Sequence, residues 1–254
     1  MHVLCVSYGN DSIALMQYAY ESGIRDVSVL FNDTGWAAPE WMDRVDVGEL
    51  LARKYGFAPH RTASIGMEAL VKRKKAWPRQ GMQFCTEELK ITPTQKWLAD
   101  NDPNCMAVLY NGKRRAESAN RANIPLYVYP GESPLNRFTV SPLYLHSDEE
   151  RNALIERAGF EILPHRSMEC APCINSNRAD IVALPESVIS EIERLETEMG
   201  HTRKGKPRTL FRPYRHMKAT GIREVVRWAK SKRGKFKLDD GNGTAGCDSG
   251  MCGG

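Results

Sequence analysis

The period of the hydrophobic pattern changes within the first sixteen residues, and that change limits how the chain can fold. Val3-Leu4-Cys5-Val6 is an unbroken apolar run of the kind that forms a buried strand. Ser7-Tyr8-Gly9-Asn10-Asp11-Ser12 is small and polar, and from there apolar residues return at helical spacing as Ile13, Met16 and Tyr20. A strand that runs through a polar loop into a helix aims several backbone N–H groups and the helix dipole at one point, a natural seat for phosphate. Gly9 permits close backbone approach, and Ser7 and Ser12 add hydroxyl donors. On shape alone the loop could equally be a plain junction in which Asp11 or Ser12 caps the helix.

Strand and helix signals keep alternating after this junction. Val27 to Phe31 reads as a second strand, Pro39 to Tyr55 as a helix with Trp41, Val45, Val47 and Leu51 on its buried side, and Ala58 to Thr62 as a third strand. Met67 to Lys75 reads as a short helix, Thr86 to Asp100 as a longer one that Pro93 kinks or splits, and Ala107 to Tyr110 as a strand. Three prolines make Ile124 to Val140 irregular. Ser147 and Glu150 form a capping box for a helix reaching Gly159. Further helices are expected at Pro185 to Gly200, with Val188, Ile192 and Leu195 facing inward, and at Gly221 to Lys232. This order predicts an α/β fold with a doubly wound, mostly parallel sheet, spanning residues 1–165. A helical, basic, cysteine-containing extension follows over 166–254.

Charge and cysteines narrow the function. The chain carries a net +5, yet Arg203 to Lys237 holds fourteen Lys/Arg and one acid, Glu224. That segment is therefore +13 and the remainder −8, which suggests an anionic partner such as DNA or tRNA, or else a solvated basic face. No apolar run approaches the roughly 20 residues needed to span a bilayer, and no secretion signal is visible, so the expectation is a cytoplasmic protein without a membrane partner. Seven cysteines in such a chain argue against a disulfide framework. Cys5 and Cys105 lie in apolar runs and read as inert core residues. Cys85, Cys170, Cys173, Cys247 and Cys252 lie in polar or Gly/Pro-flanked stretches. The six histidines show no metal or triad spacing.

Ser7-Tyr8-Gly9-Asn10-Asp11-Ser12 resembles the PP-loop of the adenine nucleotide α-hydrolase superfamily, a Rossmann-type fold that includes ATP pyrophosphatases and 3′-phosphoadenylyl-sulfate (PAPS) reductases. Tyr8 and Asn10 depart from the commoner Ser-Gly-Gly-Lys-Asp-Ser form, and Asn10 removes a phosphate-facing positive charge. Three more segments resemble the PAPS reductase branch: Asp33-Thr34-Gly35 with Pro39-Glu40, Cys85-Thr86 through Leu89-Lys90-Ile91 to Pro93, and Gly112-Lys113-Arg114 through Glu117-Ser118 to Arg121. The resemblance implies that residues 7–12, Asp33, Thr34, Gly35, Lys90, Gly112, Arg114, Glu117 and Arg121 bind ATP or PAPS with Mg²⁺. It makes Asp11 and Ser12 catalytic, with Arg114 and Arg121 gripping phosphate or sulfate through paired hydrogen bonds.

Cys170-Ala171-Pro172-Cys173, taken with Cys85 and the tail cysteines, supplies enough thiolates for one four-thiolate metal site. Resemblance to cluster-bearing adenylyl-sulfate reductases and to a DNA phosphorothioation sulfurtransferase favours a 4Fe–4S cluster on Cys85, Cys170, Cys173 and Cys252, with Cys247 as substitute ligand. Zinc, or free redox thiols, are the alternatives. The other tail cysteine, Cys247 or Cys252, would serve in sulfur transfer or redox catalysis. The preferred expectation is cleavage of ATP to AMP and pyrophosphate to activate a substrate for sulfur-related modification, plausibly of nucleic acid, with a cysteine desulfurase as partner. The alternatives are PAPS or adenylyl-sulfate reduction with a thioredoxin-like partner, although the Glu-Cys-Gly-Leu-His motif of that family is absent, and a non-catalytic nucleotide-binding module.

Overall fold

The computed structural model describes residues 1–79, 81–211 and 219–231. The first half is built from β1 (His2–Val6), α1 (Asn10–Glu21), β2 (Val27–Asp33), α2 (Trp41–Lys54), β3 (Ala58–Ala63) and α3 (Met67–Lys74). There follow α4 (Phe84–Thr86), a π-helical stretch over Glu87–Ile91, α5 (Thr92–Asn101), β4 (Val108–Tyr110), β5 (Tyr127–Val128), β6 (Thr139–Val140) and α6 (Asp148–Arg157). The remaining helices are α7 (Arg178–Val182), α8 (Glu186–Met199) and α9 (Ile222–Lys230). One six-stranded sheet runs β3-β2-β1-β4-β6-β5. Every pairing is parallel except that of β5 with β6. The fold is α/β with a mostly parallel sheet, as the alternating pattern predicts.

Strand alternation sorts the sheet's side chains between two faces. Leu4, Val6, Val29 and Phe31 pack against α1, α2 and α6, while Val3, Leu30 and Leu109 pack with Leu98, Trp97 and Ile91 on the opposite face. A third cluster joins α3 to α7, α8 and α9 through Leu70, Val71, Ile192, Leu195 and Val225, so the helices beyond residue 170 share a core with the first half. The capping box of α6 is formed: Ser147 Oγ accepts from the Glu150 amide and Glu150 Oε2 accepts from the Ser147 amide.

Several local expectations are corrected. Val47 is exposed, and Tyr20 lies at the surface stacked on Tyr55. Ile189 rather than Val188 is the buried residue of its pair on α8. Residues 124–140 contain two short strands, because backbone pairing at a sheet edge needs only a few residues and tolerates flanking prolines. The helix expected from Thr86 contains a π-helical stretch just before Pro93, which spares the ring a clash with the preceding turn. Cys105 is exposed rather than core, at positive φ in the turn that closes on Asp102.

Candidate functional site

Strand β1 sits between β2 and β4, with β2 and β3 added on one side of it and β4, β6 and β5 on the other, so the carboxyl ends of β1 and β4 face the crevice where open α/β sheets bind ligands. The loop after β1 fills one side. Its opening amides have no intrahelical acceptor, Gly9 is the extended residue before α1, and Ile13 N–H closes the first turn onto Gly9 C=O. The Ser7 amide donates to Ser12 Oγ at 2.9 Å and the two hydroxyls lie 3.2 Å apart, which draws the loop into a tight ring.

Tyr8 and Asn10, the two departures from the motif, both hold the loop from outside. Tyr8 takes a left-handed backbone, φ 60°, a conformation that costs a non-glycine residue energy. Its ring is buried against Phe31 and against Gly48 of α2, where any Cβ would lie 2.1 Å from Tyr8 Cδ1. Arg44 Nε donates to the Tyr8 carbonyl at 2.8 Å. Burial, reinforced by the Glu49 carboxylate, pushes the Tyr8 phenol well above its ordinary range. The Asn10 side chain donates to Leu163 C=O at 2.9 Å and accepts from Leu163 N–H at 3.0 Å. What Asn10 offers a ligand is therefore its backbone amide.

Across the crevice, Gly112 lets the β4 loop close on α1, since a Cβ there would come 2.8 Å from the Asp11 carbonyl oxygen. Arg114 is buried, with Nε on Asp11 Oδ1 at 2.6 Å, one terminal nitrogen on His146 C=O at 3.1 Å and the other on Asp148 Oδ1 at 2.9 Å. Burial opposes its charge, but Asp11 and Asp148 outweigh that and hold its pKa above the ordinary arginine range. Its fork is turned to two carboxylates and a carbonyl rather than to open space. Asp11 Oδ2 is buried and, among the described residues, lacks a hydrogen-bond partner. Arg121 is ion-paired with Glu117. Lys113, which sequence reasoning passed over, is half-buried beside both, and desolvation together with the Arg121 charge lowers its pKa to about 8.

The carboxyl end of β2 carries the second part of the site. Asp33 Oδ1 accepts from the Gly35 amide at 2.8 Å, and Gly35 has positive φ with its Cα side pressed on Gly66. Thr34 turns inward, its hydroxyl donating to Glu169 C=O at 2.9 Å and standing 3.6 Å from Cys170 Sγ. Lys90 is buried and donates to Glu169 Oε2 at 2.8 Å. Desolvation works against the Lys90 charge, yet Glu169 dominates and raises its pKa. Thr34, Cys85, Lys90, Cys170 and Cys173 line one cavity. Burial pushes the Cys170 thiol up to about 12 and raises Cys85 and Cys173 as well. The donor set suits a thiophilic metal. Among the described residues, however, no group of three or more His, Cys, Asp or Glu side chains has converged into metal-ligand geometry. Cys247 and Cys252, the remaining expected ligands and sulfur carriers, lie outside the described residues, as do parts of the basic segment.

One stretch of backbone joins the two parts. Residues 161–173 begin where Arg44 donates to Glu161 C=O, pass the Asn10 clamp at Leu163, and pair with the β2 loop. Ala38 N–H bonds Met168 C=O and Ala171 N–H bonds Trp36 C=O before the stretch ends on the Cys170–Cys173 knuckle. Glu169 was not foreseen, because nothing local in sequence ties it to Lys90, 79 residues away.

A family model described as the phosphoadenosine phosphosulfate reductase domain matches residues 1–181. No curated protein matches the sequence. Among solved structures the chain is similar to a PAPS reductase from Candida auris in its phosphate complex, with 14% identity over 63% of this chain and 74% of that one and a TM-score of 0.46. It is also similar to the U34-tRNA thiolase NcsA from Methanococcus maripaludis with its 4Fe–4S cluster, with 13% identity over 97% of this chain and 78% of that one and a TM-score of 0.47. No helix among the described residues is long and apolar enough to cross a membrane.

Proposed function

The chain belongs to the phosphoadenosine phosphosulfate reductase domain family, and from that premise we propose that it binds an adenine nucleotide in the crevice between β1 and β4 and cleaves ATP to AMP and pyrophosphate, activating an acceptor for sulfur-related modification. The observation that carries this reading is the run 161–173, which touches the β1 loop at Leu163 and holds the thiols Cys170 and Cys173 seven and ten residues later. A nucleotide loop and a thiol cavity joined by so short a tether suit a reaction in which activation and sulfur chemistry follow each other.

The loop amides opening α1, with Ser7 and Ser12, would hold the phosphates and stabilise charge developing on the leaving pyrophosphate by position and dipole. Asp11, oriented by Arg114, would present Oδ2 to the magnesium ion that accompanies ATP. Asp33 and Gly35 would border the adenosine. Cys85, Cys170 and Cys173, completed by Cys252 or Cys247, would hold a 4Fe–4S cluster, which when bound supplies sulfur or electron transfer. The basic 203–237 segment would bring DNA or tRNA by phosphate contacts.

Pyrophosphate release from ATP by anaerobically prepared protein, with and without DNA or tRNA, tests the reading. Sulfite release from PAPS with thioredoxin, and no pyrophosphate, would instead establish the reductase reaction, which the family match favours. Neither product, with nucleotide bound, would leave a binding module.

A further inference from the structure

Two basic runs far apart in the sequence meet in space. The first ends α3 with Lys72, Arg73, Lys74 and Lys75 and continues to Arg79. The second is the loop after α8, with Arg203, Lys204, Lys206 and Arg208. Trp77, between Lys75 and Arg79, is buried and donates Nε1–H to the Arg208 carbonyl at 3.2 Å. Leu70, Val71 and Trp77 share a core with Leu210 and Phe211, which fixes the loop against α3. The loop is itself folded. Thr202 N–H donates to Lys206 C=O at 2.8 Å, the Gly205 amide to Thr202 C=O at 2.9 Å, and Arg208 Nη1 to Met199 C=O at 2.9 Å.

Ion pairing sorts these cations. Lys72 is paired with Glu68 and Glu198, and Arg73 and Lys74 with Glu88. Among the described residues no carboxylate is paired with Lys75, Arg79, Arg203, Lys204 or Lys206, and all of these but half-buried Arg79 are exposed. Like charges gathered in this way attract a partner that carries several negative charges. The surface also adjoins the thiol cavity. Arg79 and Met82 exchange backbone hydrogen bonds just before Gln83 and Cys85, which line that cavity. Lys74 Nζ stands 5.9 Å from the Phe84 ring centroid. The Trp36 ring lies 6.1 Å from that of Trp77 and donates to the Pro172 carbonyl of the Cys170–Cys173 knuckle.

We propose that residues 75–79 and 203–206 form one docking surface, beside the thiol cavity, for the phosphate backbone of a double-helical nucleic acid. Trp77 is the one aromatic residue of the two segments and it is buried. Base stacking, which holds single strands, therefore has no platform in them, while lysine and arginine contacts to backbone phosphates do. The inference rests on the nucleic-acid part of the reading above. It goes beyond that part by adding the α3 segment and by naming the duplex as what is held.

The test is fluorescence anisotropy of labelled duplex RNA and, separately, duplex DNA titrated with the full chain between about 50 and 200 mM salt. Lys75→Gln combined with Arg79→Gln should bind about 10- to 100-fold more weakly near 0.1 M salt, and the slope of log K against log salt should become shallower by about 2. Lys204→Gln combined with Lys206→Gln should do the same, and the two losses should add. Lys75→Gln alone, at an exposed position, carries the test with a slope change of about 1 should the Arg79 variant fail to fold. Whichever duplex wild type binds more tightly names the acceptor. Wild-type binding that the Lys75 and Arg79 variants leave unchanged in strength and slope overturns the inference while the basic 203–237 reading stands, and a single strand of equal length that binds more tightly than either duplex overturns it too. Wild type that binds no nucleic acid overturns the nucleic-acid part of the reading, and the inference with it.

Discussion

Arg114 and Lys113 are neighbours with opposite energetic characters. Arg114 lies in a buried ion pair, where removing one partner leaves a desolvated carboxylate and costs about 3–5 kcal/mol. Arg114→Met should therefore lower stability by about that amount in urea unfolding, and Arg114→Lys should restore little, because a point charge cannot reach Asp11, Asp148 and the His146 carbonyl at once. Lys113 is the reverse case. Its folded pKa of about 8 lies below the ordinary 10.5, so the unfolded chain holds more protons between those values and stability rises with pH across that window. The penalty is present in full below pH 8. Lys113→Met should accordingly stabilise the unliganded protein at pH 7, by about 1 kcal/mol after solvent screening, or roughly 2–4 °C in melting temperature.

Among the elements, the β1–α1 loop shows how far a sequence can be read. The change of period, the polar residues and the alternation of strands and helices are all local signals, and they specify the sheet and the rim where the loop lies. Partners are a different matter. Asp11 meets Arg114 across 103 residues, Asn10 meets Leu163 across 153, and Lys90 meets Glu169 across 79. Residue types announce hydrogen-bonding capacity, while the fold decides where it is used: Arg114 and Asn10, expected from sequence to face a ligand, have side-chain partners within the protein. Tyr8 looks like a blemish in a glycine-rich motif until Gly48 is seen to leave room for its ring. Gly48→Ala should overpack that contact and cost about 1–3 kcal/mol, measured by thermal unfolding, with a smaller loss in a Tyr8→Ala background. Asn10→Ala should free residues 161–173: amide exchange there should speed up, and Cys170 and Cys173 should react faster with iodoacetamide.

At the scale of the whole molecule, the helices after residue 170 are fastened to the first half by apolar packing on α3, and one half-buried carboxylate ties α8 to the chain that follows it. Glu196 accepts from the Leu210 amide at 2.9 Å and from the Ile222 amide at 2.9 Å, gripping both ends of the stretch between them. Burial raises its pKa. Glu196→Ala leaves two amides without that acceptor and should cost about 1–3 kcal/mol, with amide exchange at residues 210 and 222 as the local readout.

The run 161–173 has one more implication. It is anchored to the β1–α1 loop near one end and to the thiol cavity at the other, so on the proposed function the two sites share one stretch of backbone. Reciprocity then requires that whatever factor a bound nucleotide applies to the affinity of the thiols for their occupant, that occupant applies the same factor to the nucleotide. The two halves of the reaction would be coupled as an equilibrium before any chemistry takes place.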